Sequence, residues 1–587
     1  MIHPRVLILG FVAIVGLAPL VLSPFSVTIL NYIGLYSLAT LGLVLLTGVG
    51  GLTSFGQAAF AGLGAYATAW LTTAYGVSPW LTLPIGLLFT LAVGSVIGIA
   101  TLKLSGHYLP LATIAWAVSL YFLFGNLASL GGHTGMGGLP PVTIGTYALT
   151  DNGSFYYLIW VIVIAALWLS SNLLDSRPGR AMRALKGGID VAEAMGVNTQ
   201  RSKLIAFLIA AGLACISGWL YAHMQRFVNP TPFGLQIGIE YLFMAVLGGA
   251  GHIWGAVLGA GVVTLLKQKL QDVLPHLAGS QGNLEGIAFG LIMVLVLQRA
   301  KDGLWPWIAR VAVKRQVRTV NLTAADLPTR DKASRDAPVL RVDGVSKRFG
   351  GLTAVRDMQL EVSRGEILGL LGPNGAGKST MFNLIAGSLR VSGGTVTFNG
   401  ERIDGLRPPD IARRGLSRTF QHVRLLPEMT VLDNVALGAH LRASQGVLVS
   451  ALHAERGREE MLMKEAARQI ERVGLGAHIN DLAGSLSLGQ QRILEIARAL
   501  AADPLLLLLD EPAAGLRLKE KEALSDLLKS LRSEGLAILL VEHDMDFVMN
   551  LVDRLVVMSF GEKIAQGTPE EVQQNERVIE AYLGSVA

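Results

Sequence analysis

Apolar residues run in long blocks up to about Arg299 and in short ones after Val339. Windows at residues 6–22, 27–46, 52–74, 80–100, 108–127, 155–169, 203–221, 237–266 and 284–297 are long and apolar enough to suggest membrane helices, which need about 20 such residues. Window 237–266 is interrupted by Gly248-Gly249-Ala250-Gly251-His252. Splitting it there predicts about ten crossings, because a broken helix at membrane depth is tolerated where protein covers the freed backbone. The first window follows Arg5, as a leader peptide would, but no small-x-small cleavage site follows and the next span starts almost at once. It reads as an uncleaved first helix. Beyond Val339, short apolar strands alternate with helices, the pattern of a parallel α/β fold. The boundaries predicted are a helical membrane domain at 1–305, a linker at 306–338 and an α/β domain at 339–587, with a helical subdomain at about 424–490.

Loop charge orients the spans. Lys103 sits in one short loop, and Arg177, Arg180, Arg183, Lys186, Arg201 and Lys203 crowd another, whereas residues 129–154 carry only Asp151. The positive-inside bias places the N-terminus, the Lys103 loop and the 177–203 loop in the cytoplasm; with the α/β domain also inside, the number of crossings must be even. Composition agrees with a chain partly in lipid. Only 16% of residues are charged, against about 25% in soluble proteins, and mean hydropathy is +0.48. The net charge of +6 comes with no nucleic-acid-binding motif and reads as basic loops beside an anionic leaflet. Lys314, Arg315 and Arg318 form a basic juxtamembrane stretch, followed by a polar linker from Asp326 to Lys332. The single cysteine, Cys215, excludes an intrachain disulfide and reads as a small buried hydrophobe.

The clearest chemistry lies after the apolar run Glu366-Ile367-Leu368-Gly369-Leu370-Leu371. Gly372-Pro373-Asn374-Gly375-Ala376-Gly377-Lys378-Ser379-Thr380 follows, and then an apolar helix. This is the strand, phosphate loop and helix of a P-loop NTPase. Glycines let backbone N–H groups close around phosphate oxygens, and the helix N-terminus favours the anion. In this motif Lys378 reaches the β- and γ-phosphates of ATP, and the Ser379 hydroxyl binds Mg²⁺. A second buried strand, 505–509, ends in Asp510 and Glu511. Asp510 is placed to hold Mg²⁺, and Glu511 to polarise the attacking water as general base.

The order of features from Phe349 to His543 resembles the ATP-binding cassette superfamily. By that resemblance Phe349 stacks on adenine. Gln421, in Arg418-Thr419-Phe420-Gln421, senses Mg²⁺ and contacts the membrane partner. His543 contacts the γ-phosphate. Ser487-Leu488-Gly489-Gln490 belongs to the signature, which closes over ATP held by a second cassette. A single cassette is then half of a machine. Two departures stand out: Leu488 where the family has glycine, and Arg517 where most cassettes place an aspartate that communicates between sites.

The loop from Ser176 to Asn198, with Arg180, Arg183, Glu193 and Gly196, resembles the coupling loop of importer permeases. More narrowly, this loop, Gly56-Gln57-Ala58-Ala59-Phe60 and Val246-Leu247-Gly248-Gly249 resemble the branched-chain amino acid permeases. Asp510-Glu511-Pro512-Ala513-Ala514-Gly515, Val541-Glu542-His543-Asp544-Met545 and the tail Ala581-Tyr582-Leu583-Gly584 are similar to the ATPase of the same uptake family. The resemblance implies a permease fused to its ATPase in the bacterial inner membrane, with ATP and Mg²⁺ as cofactors. It implies as partners a second permease, a second ATPase in a heteromer rather than a homodimer, and a periplasmic solute-binding protein. A half-size exporter is the alternative architecture, and urea, amides or aromatic acids are alternative cargoes. The glycine-rich segments 48–64 and 248–261 read as close helix packing or as an unwound substrate path. Ser54, Gln57, Tyr108 and Thr113 are the candidate path residues; His107, His133 and Thr134 are further polar positions in or near the spans.

Overall fold

The computed structural model describes residues 4–104, 106, 108–278, 284–299, 302–312, 317–332, 338–444 and 446–583. His107, Lys314, Arg315 and Gly584 lie outside the described residues. The chain divides into two compact units, one of Met1–Asp175 with Gln200–Gln316 and one of Ser176–Thr199 with Val317–Ala587.

Thirteen helices among the described residues precede the first long strand: α1 (Pro4–Val21), α2 (Pro24–Leu43), α3 (Gln57–Tyr75), α4 (Pro79–Thr101), α5 (Tyr108–Asn126), α6 (Asn152–Leu174), α7 (Arg177–Lys186), α8 (Ile189–Ala194), α9 (Thr199–Gln225), α10 (Leu235–Gly248), α11 (Ile253–Ala278), α12 (Leu284–Arg299) and α13 (Leu304–Ala312). Among the described residues six helices are long and apolar enough to cross a membrane, and two further apolar helices are shorter. Window 155–169 extends to Asn152–Leu174 because Asp151 caps it, accepting a hydrogen bond from Ser154 N at 2.7 Å. The glycine interruption at 248–252 does separate two helices, α10 and α11, with Gly249 at φ +115°.

Window 52–74 is helical only from Gln57. α2 runs on as a π-helical turn, Val44–Val49, and residues 50–56 then leave helical geometry. Side chains satisfy the freed backbone: Thr47 Oγ1 donates to Leu52 O (3.0 Å), while Thr113 Oγ1 accepts from Phe55 N (3.2 Å) and Ser54 Oγ from Gly56 N (3.3 Å). Both glycine-rich segments thus flank helix breaks. They also pack backbone against backbone. A Cβ on Gly48 would lie 1.4 Å from Ala250 O, and one on Gly218 would lie 1.8 Å from Ala61 O.

The stretch read as a linker divides between the units. α13 belongs to the first, and residues 317–332 lie on the second.

Among the described residues the second unit holds ten strands, numbered here β1 (Pro338–Phe349), β2 (Leu352–Ser363), β3 (Ile367–Leu371), β4 (Gly393–Phe398), β5 (Glu401–Arg402), β6 (Leu416–Arg418), β7 (Leu506–Asp510), β8 (Ala537–Val541), β9 (Arg554–Ser559) and β10 (Glu562–Gly567). One sheet has the order β6-β7-β8-β3-β9-β10, parallel except for the last pair. The other, β2-β1-β4-β5, is antiparallel. Leu506 to Leu509 are fully buried, as expected of a strand covered on both faces, each leucine contributing about 1.5–3 kcal/mol. The helices Val431–Gly438, Arg456–Arg472 and Leu488–Leu500 share a separate core with Leu327.

Gly48→Ala and Gly218→Ala are expected to lower stability by about 1–3 kcal/mol or more, because backbone cannot yield as a side-chain tip can. Gly251→Ala, with nothing within 4 Å of its Cβ position, should leave the thermal unfolding midpoint of the detergent-solubilised protein unchanged.

Candidate active site

Three adjacent strands deliver the site. Val541 in β8 pairs with Asp510 of β7 on one side and with Leu370 of β3 on the other. The carboxyl ends of β7, β8 and β3 therefore lie in a row, about 10 Å across at the spacing of neighbouring strands. From that row emerge Asp510-Glu511, Glu542-His543 and Gly372, the first residue of the phosphate loop. Such a crevice outside parallel strand ends is where open α/β sheets bind ligands.

The loop has the backbone that its glycines permit. Gly372 has φ +149° with a would-be Cβ 2.1 Å from Met558 O, and Gly377 has φ +101° with one 2.5 Å from Ala354 O. No side chain caps the helix Lys378–Ile385. Its first-turn N–H groups have no intrahelical partner and form a cradle for an anion. Lys378 folds back over the loop, donating to Gly372 O at 2.6 Å and Pro373 O at 3.0 Å. Burial lowers the pKa of this ammonium, and Glu511 and Asp510 oppose that shift. Ser379 and Thr380 follow it in the same helix.

Asp510 is buried, which raises its pKa, while Arg418 acts to lower it. Thr419 Oγ1 accepts from Asp510 N at 3.3 Å. Glu511 turns the chain with φ +50°. Its Oε1 lies 3.1 Å from Gln421 Nε2, which donates to it, and 2.9 Å from His543 Nε2. An ionised carboxylate oxygen only accepts, so His543 carries its proton on Nε2. The three residues assigned to hydrolysis from sequence thus meet at one oxygen.

Three supports were not legible in the sequence. Arg492 donates to Glu511 O at 2.9 Å. Glu542 accepts from Ala513 N at 2.5 Å and from His543 N at 3.0 Å, tying the turn after Glu511 to the His543 strand end. Burial raises the pKa of Glu542. Thr419 is the third. The pairing of β7 with β6 and β8 brings Thr419 and Glu542 to the strand end of Glu511, and Arg492 reaches it from the helix Leu488–Leu500.

Phe349 is half exposed at the end of β1, with Lys347 Nζ 5.0 Å from its ring centroid. Ser487 caps the helix Leu488–Leu500 by a reciprocal pair of bonds with Gln490, and Leu488 is exposed. Among the described hydrogen bonds none joins Ser487–Gln490 to the phosphate loop.

The Ser176–Thr199 loop packs within this unit. Arg180 is buried, and both terminal nitrogens of its guanidinium reach the Glu459 carboxylate, at 2.5 and 3.2 Å. Arg177 donates to His440 O at 2.8 Å. Ala181, Ala184, Met195 and Val197 pack with Leu426, Met429 and Leu437, with Phe420 beside them. Gly196, at φ +79°, lies against Leu441. Glu193 bonds within the loop, to Thr199 Oγ1 at 2.6 Å. Arg183 has none of the described hydrogen bonds or ion pairs.

In the first unit, Ser54 and Thr113 line one small cavity of about 10 Å³. Gln57 and Tyr108 do not line it. Gln57 spends its amide on Ala210 O at 2.5 Å, and the Tyr108 side chain is exposed. His133 lies against Gly125, and Thr134 bonds its own turn at Gly131 O.

Residues 25–297 match the family described as branched-chain amino acid transport system / permease component. Residues 355–514 match the ABC transporter family, and residues 562–587 match that described as branched-chain amino acid ATP-binding cassette transporter. The high-affinity branched-chain amino acid transport ATP-binding protein LivG of Salmonella typhimurium is 46% identical over 250 residues, which cover 42% of this chain and 98% of the relative. The chain belongs to the branched-chain amino acid family of ATP-binding cassette transporters. The Pseudomonas aeruginosa protein BraF is 45% identical over the same shares, and a probable LivG of Archaeoglobus fulgidus is 36% identical over 42% of this chain and 96% of its own. One polypeptide thus carries a permease match and a cassette match. That cassette is a transport-coupled ATPase.

His440 reports on the seating of the loop in this cassette. Arg177 Nη1 lies 3.3 Å from its Nε2, and a guanidinium only donates, so Nε2 accepts and the ring is neutral. Burial first, then Arg177 and Arg180, hold the imidazole pKa well below its ordinary value. The unfolded state therefore binds the extra proton first as pH falls, and stability drops below about pH 6.5. Acidification from pH 7.5 to 5.5 should lower the unfolding midpoint of the wild type more than that of His440→Leu; equal shifts would refute the assignment.

Proposed function

We propose that the chain is the fused permease and motor of an importer that takes up branched-chain amino acids across the bacterial inner membrane. The observation that carries this reading is the joint match of both halves to one transport family. The Ser176–Thr199 loop packed against the cassette supports it, since an importer must pass the work of its ATPase to membrane helices. A second permease, a second ATPase and an external solute-binding protein complete the machine, in a heteromer.

Phosphate binding falls to Gly372 through Thr380, with Lys378 released from its own loop carbonyls to the β- and γ-phosphates. Phe349 stacks on the adenine. Among the described residues no three His, Cys, Asp or Glu cluster as metal ligands, so Mg²⁺ would rest on Ser379, Asp510 and Gln421 together with phosphate oxygens. The ion supplies charge neutralisation on the phosphates when bound. Glu511 accepts the proton of the attacking water as general base, and His543 and Gln421, both on its Oε1, orient it and reach toward the γ-phosphate. The exposed signature Ser487, Leu488, Gly489 and Gln490 closes over nucleotide held by the partner cassette.

Glu511→Gln is expected to retain ATP binding and to lower steady-state hydrolysis by about 10²–10⁴-fold, the contribution of a general base. ATPase activity near wild type in that variant, assembled with its partners, would reassign the base. Vesicles containing the full assembly should accumulate labelled leucine only with ATP on the cytoplasmic side and binding protein on the other. ATP-dependent efflux, or uptake of urea or amides in preference to leucine, would refute the proposed direction or cargo.

A further inference from the structure

Residues 317–332 join the membrane half to the first strand of the cassette, yet they do not behave as a slack tether. Arg318 N donates to Asn480 Oδ1 at 3.1 Å, and its guanidinium lies 3.4 Å from Asp433 and 3.5 Å from Glu459. Asn321 donates to Glu460 at 2.7 Å. Lys464 donates to Ala324 O at 2.7 Å and pairs with Asp326 at 2.9 Å. Leu327 is buried in the core of the helical subdomain.

The grip then changes partner. Arg330 N donates to Asp503 Oδ2 at 2.5 Å, and its guanidinium donates to Ala502 O at 2.7 Å and Arg413 O at 3.0 Å. Lys332 pairs with Asp503 at 2.8 Å. Ala502 and Asp503 lie a few residues before β7, and Arg413 lies at the end of the helix Pro408–Arg414 that leads into β6. The first half of the segment thus holds the helical subdomain, and the second half holds the catalytic sheet.

Glu459 is where this segment meets the Ser176–Thr199 loop. One carboxylate takes the buried Arg180 from the loop in a two-pronged contact and Arg318 from the segment. Arg318, about a third exposed, also keeps Asp433. The site therefore has two guanidiniums and two carboxylates from four separate stretches of chain. Moving the segment alters the field at the carboxylate that anchors the loop.

We propose that residues 317–332 are a strap that fixes the helical subdomain to the catalytic sheet, and that Arg318 is a positioning residue holding Glu459 where Arg180 can seat. The fusion is then part of the coupling device, because the covalent link and the coupling loop share an anchor. The proposal rests on the chain being an ATP-driven transporter, and is independent of its cargo and direction.

The loop's seating can be read without a transport assay. Lys186 and Glu428 are exposed and 3.5 Å apart, so Lys186→Cys with Glu428→Cys in the full chain reports docking through a short thiol crosslinker; Cys215, the one native cysteine, is buried. Arg318→Ala should lower the crosslinking yield by about threefold, the size expected of a partly exposed ion pair. Arg318→Lys should restore part of it, since lysine keeps the charge but not the fork. Glu459→Gln should lower the yield further, while ATP hydrolysis by the Arg318→Ala chain stays within about twofold of wild type. Crosslinking in Arg318→Ala equal to that of the parent pair overturns the proposal, and so does a loss of ATP hydrolysis in proportion to the crosslink, which would make Arg318 a general stabilising residue. If Glu459→Gln does not accumulate, the comparison of Arg318→Ala with Arg318→Lys decides alone. Leucine uptake by the same variants separates the two readings: a wild type that imports no leucine but shows the crosslinking pattern refutes the cargo and leaves the strap standing.

Discussion

The candidate active site depends on the parallel pairing of β3, β8 and β7. Strands buried on both faces can only be apolar, so none carries chemistry along its length; chemistry is confined to the ends. Parallel direction puts all the carboxyl ends on one edge. The register of Val541 with Asp510 and Leu370 then fixes which residues emerge side by side. A slip of one residue in β7 would turn Asp510 and Glu511 to the opposite faces. The meeting of Gln421, His543 and Glu511 at one oxygen is thus a consequence of backbone pairing made several residues away. Glu542 reinforces it by bonding the N–H groups of two of those strand ends.

Among the described residues, the cassette unit includes the Ser176–Thr199 loop and residues 317–332. Both converge on Glu459. A buried guanidinium such as that of Arg180 loses its hydration and is stable there only with a carboxylate in good geometry. The second cation, Arg318, is balanced by Asp433, so the cluster remains close to neutral. This electrostatic economy explains why the segment after α13, polar in sequence, packs on its neighbours: Arg318, Asp326, Arg330 and Lys332 each answer a group on the subdomain or beside the sheet.

In the helical unit the governing constraint is the backbone. Where helices break, at residues 50–56 and 249–252, the freed groups must find partners away from water. Thr47, Ser54 and Thr113 supply them at the first break. At the second, glycine allows the chain to approach closely enough for Ala250 to lie against Gly48. Three of the polar residues that look like a lined path in the sequence, Ser54, Gln57 and Thr113, bond backbone groups, and Ser54 and Thr113 also face a common cavity.

Much was legible without coordinates. Periodicity gave the helical half, the break at 248–252 and the start of the α/β half; the phosphate loop and the Asp510-Glu511 pair were readable because their chemistry needs contiguous residues at fixed spacing. The sequence also named Gln421 and His543, through their order behind that loop. What it did not contain were contacts between distant stretches. Thr419 and Glu542 support the site only because the sheet brings three strand ends together, and Arg492 reaches it from the helix Leu488–Leu500. Arg180 and Arg318 look like two more basic loop residues until folding places Glu459 between them. Gln57 and Tyr108 were indistinguishable from Ser54 and Thr113 as candidates, since the orientation of a side chain on a buried helix depends on its neighbours. Local spacing determined which groups could do chemistry; the tertiary structure decided which of them meet, because that is set by register and packing between segments far apart in the chain.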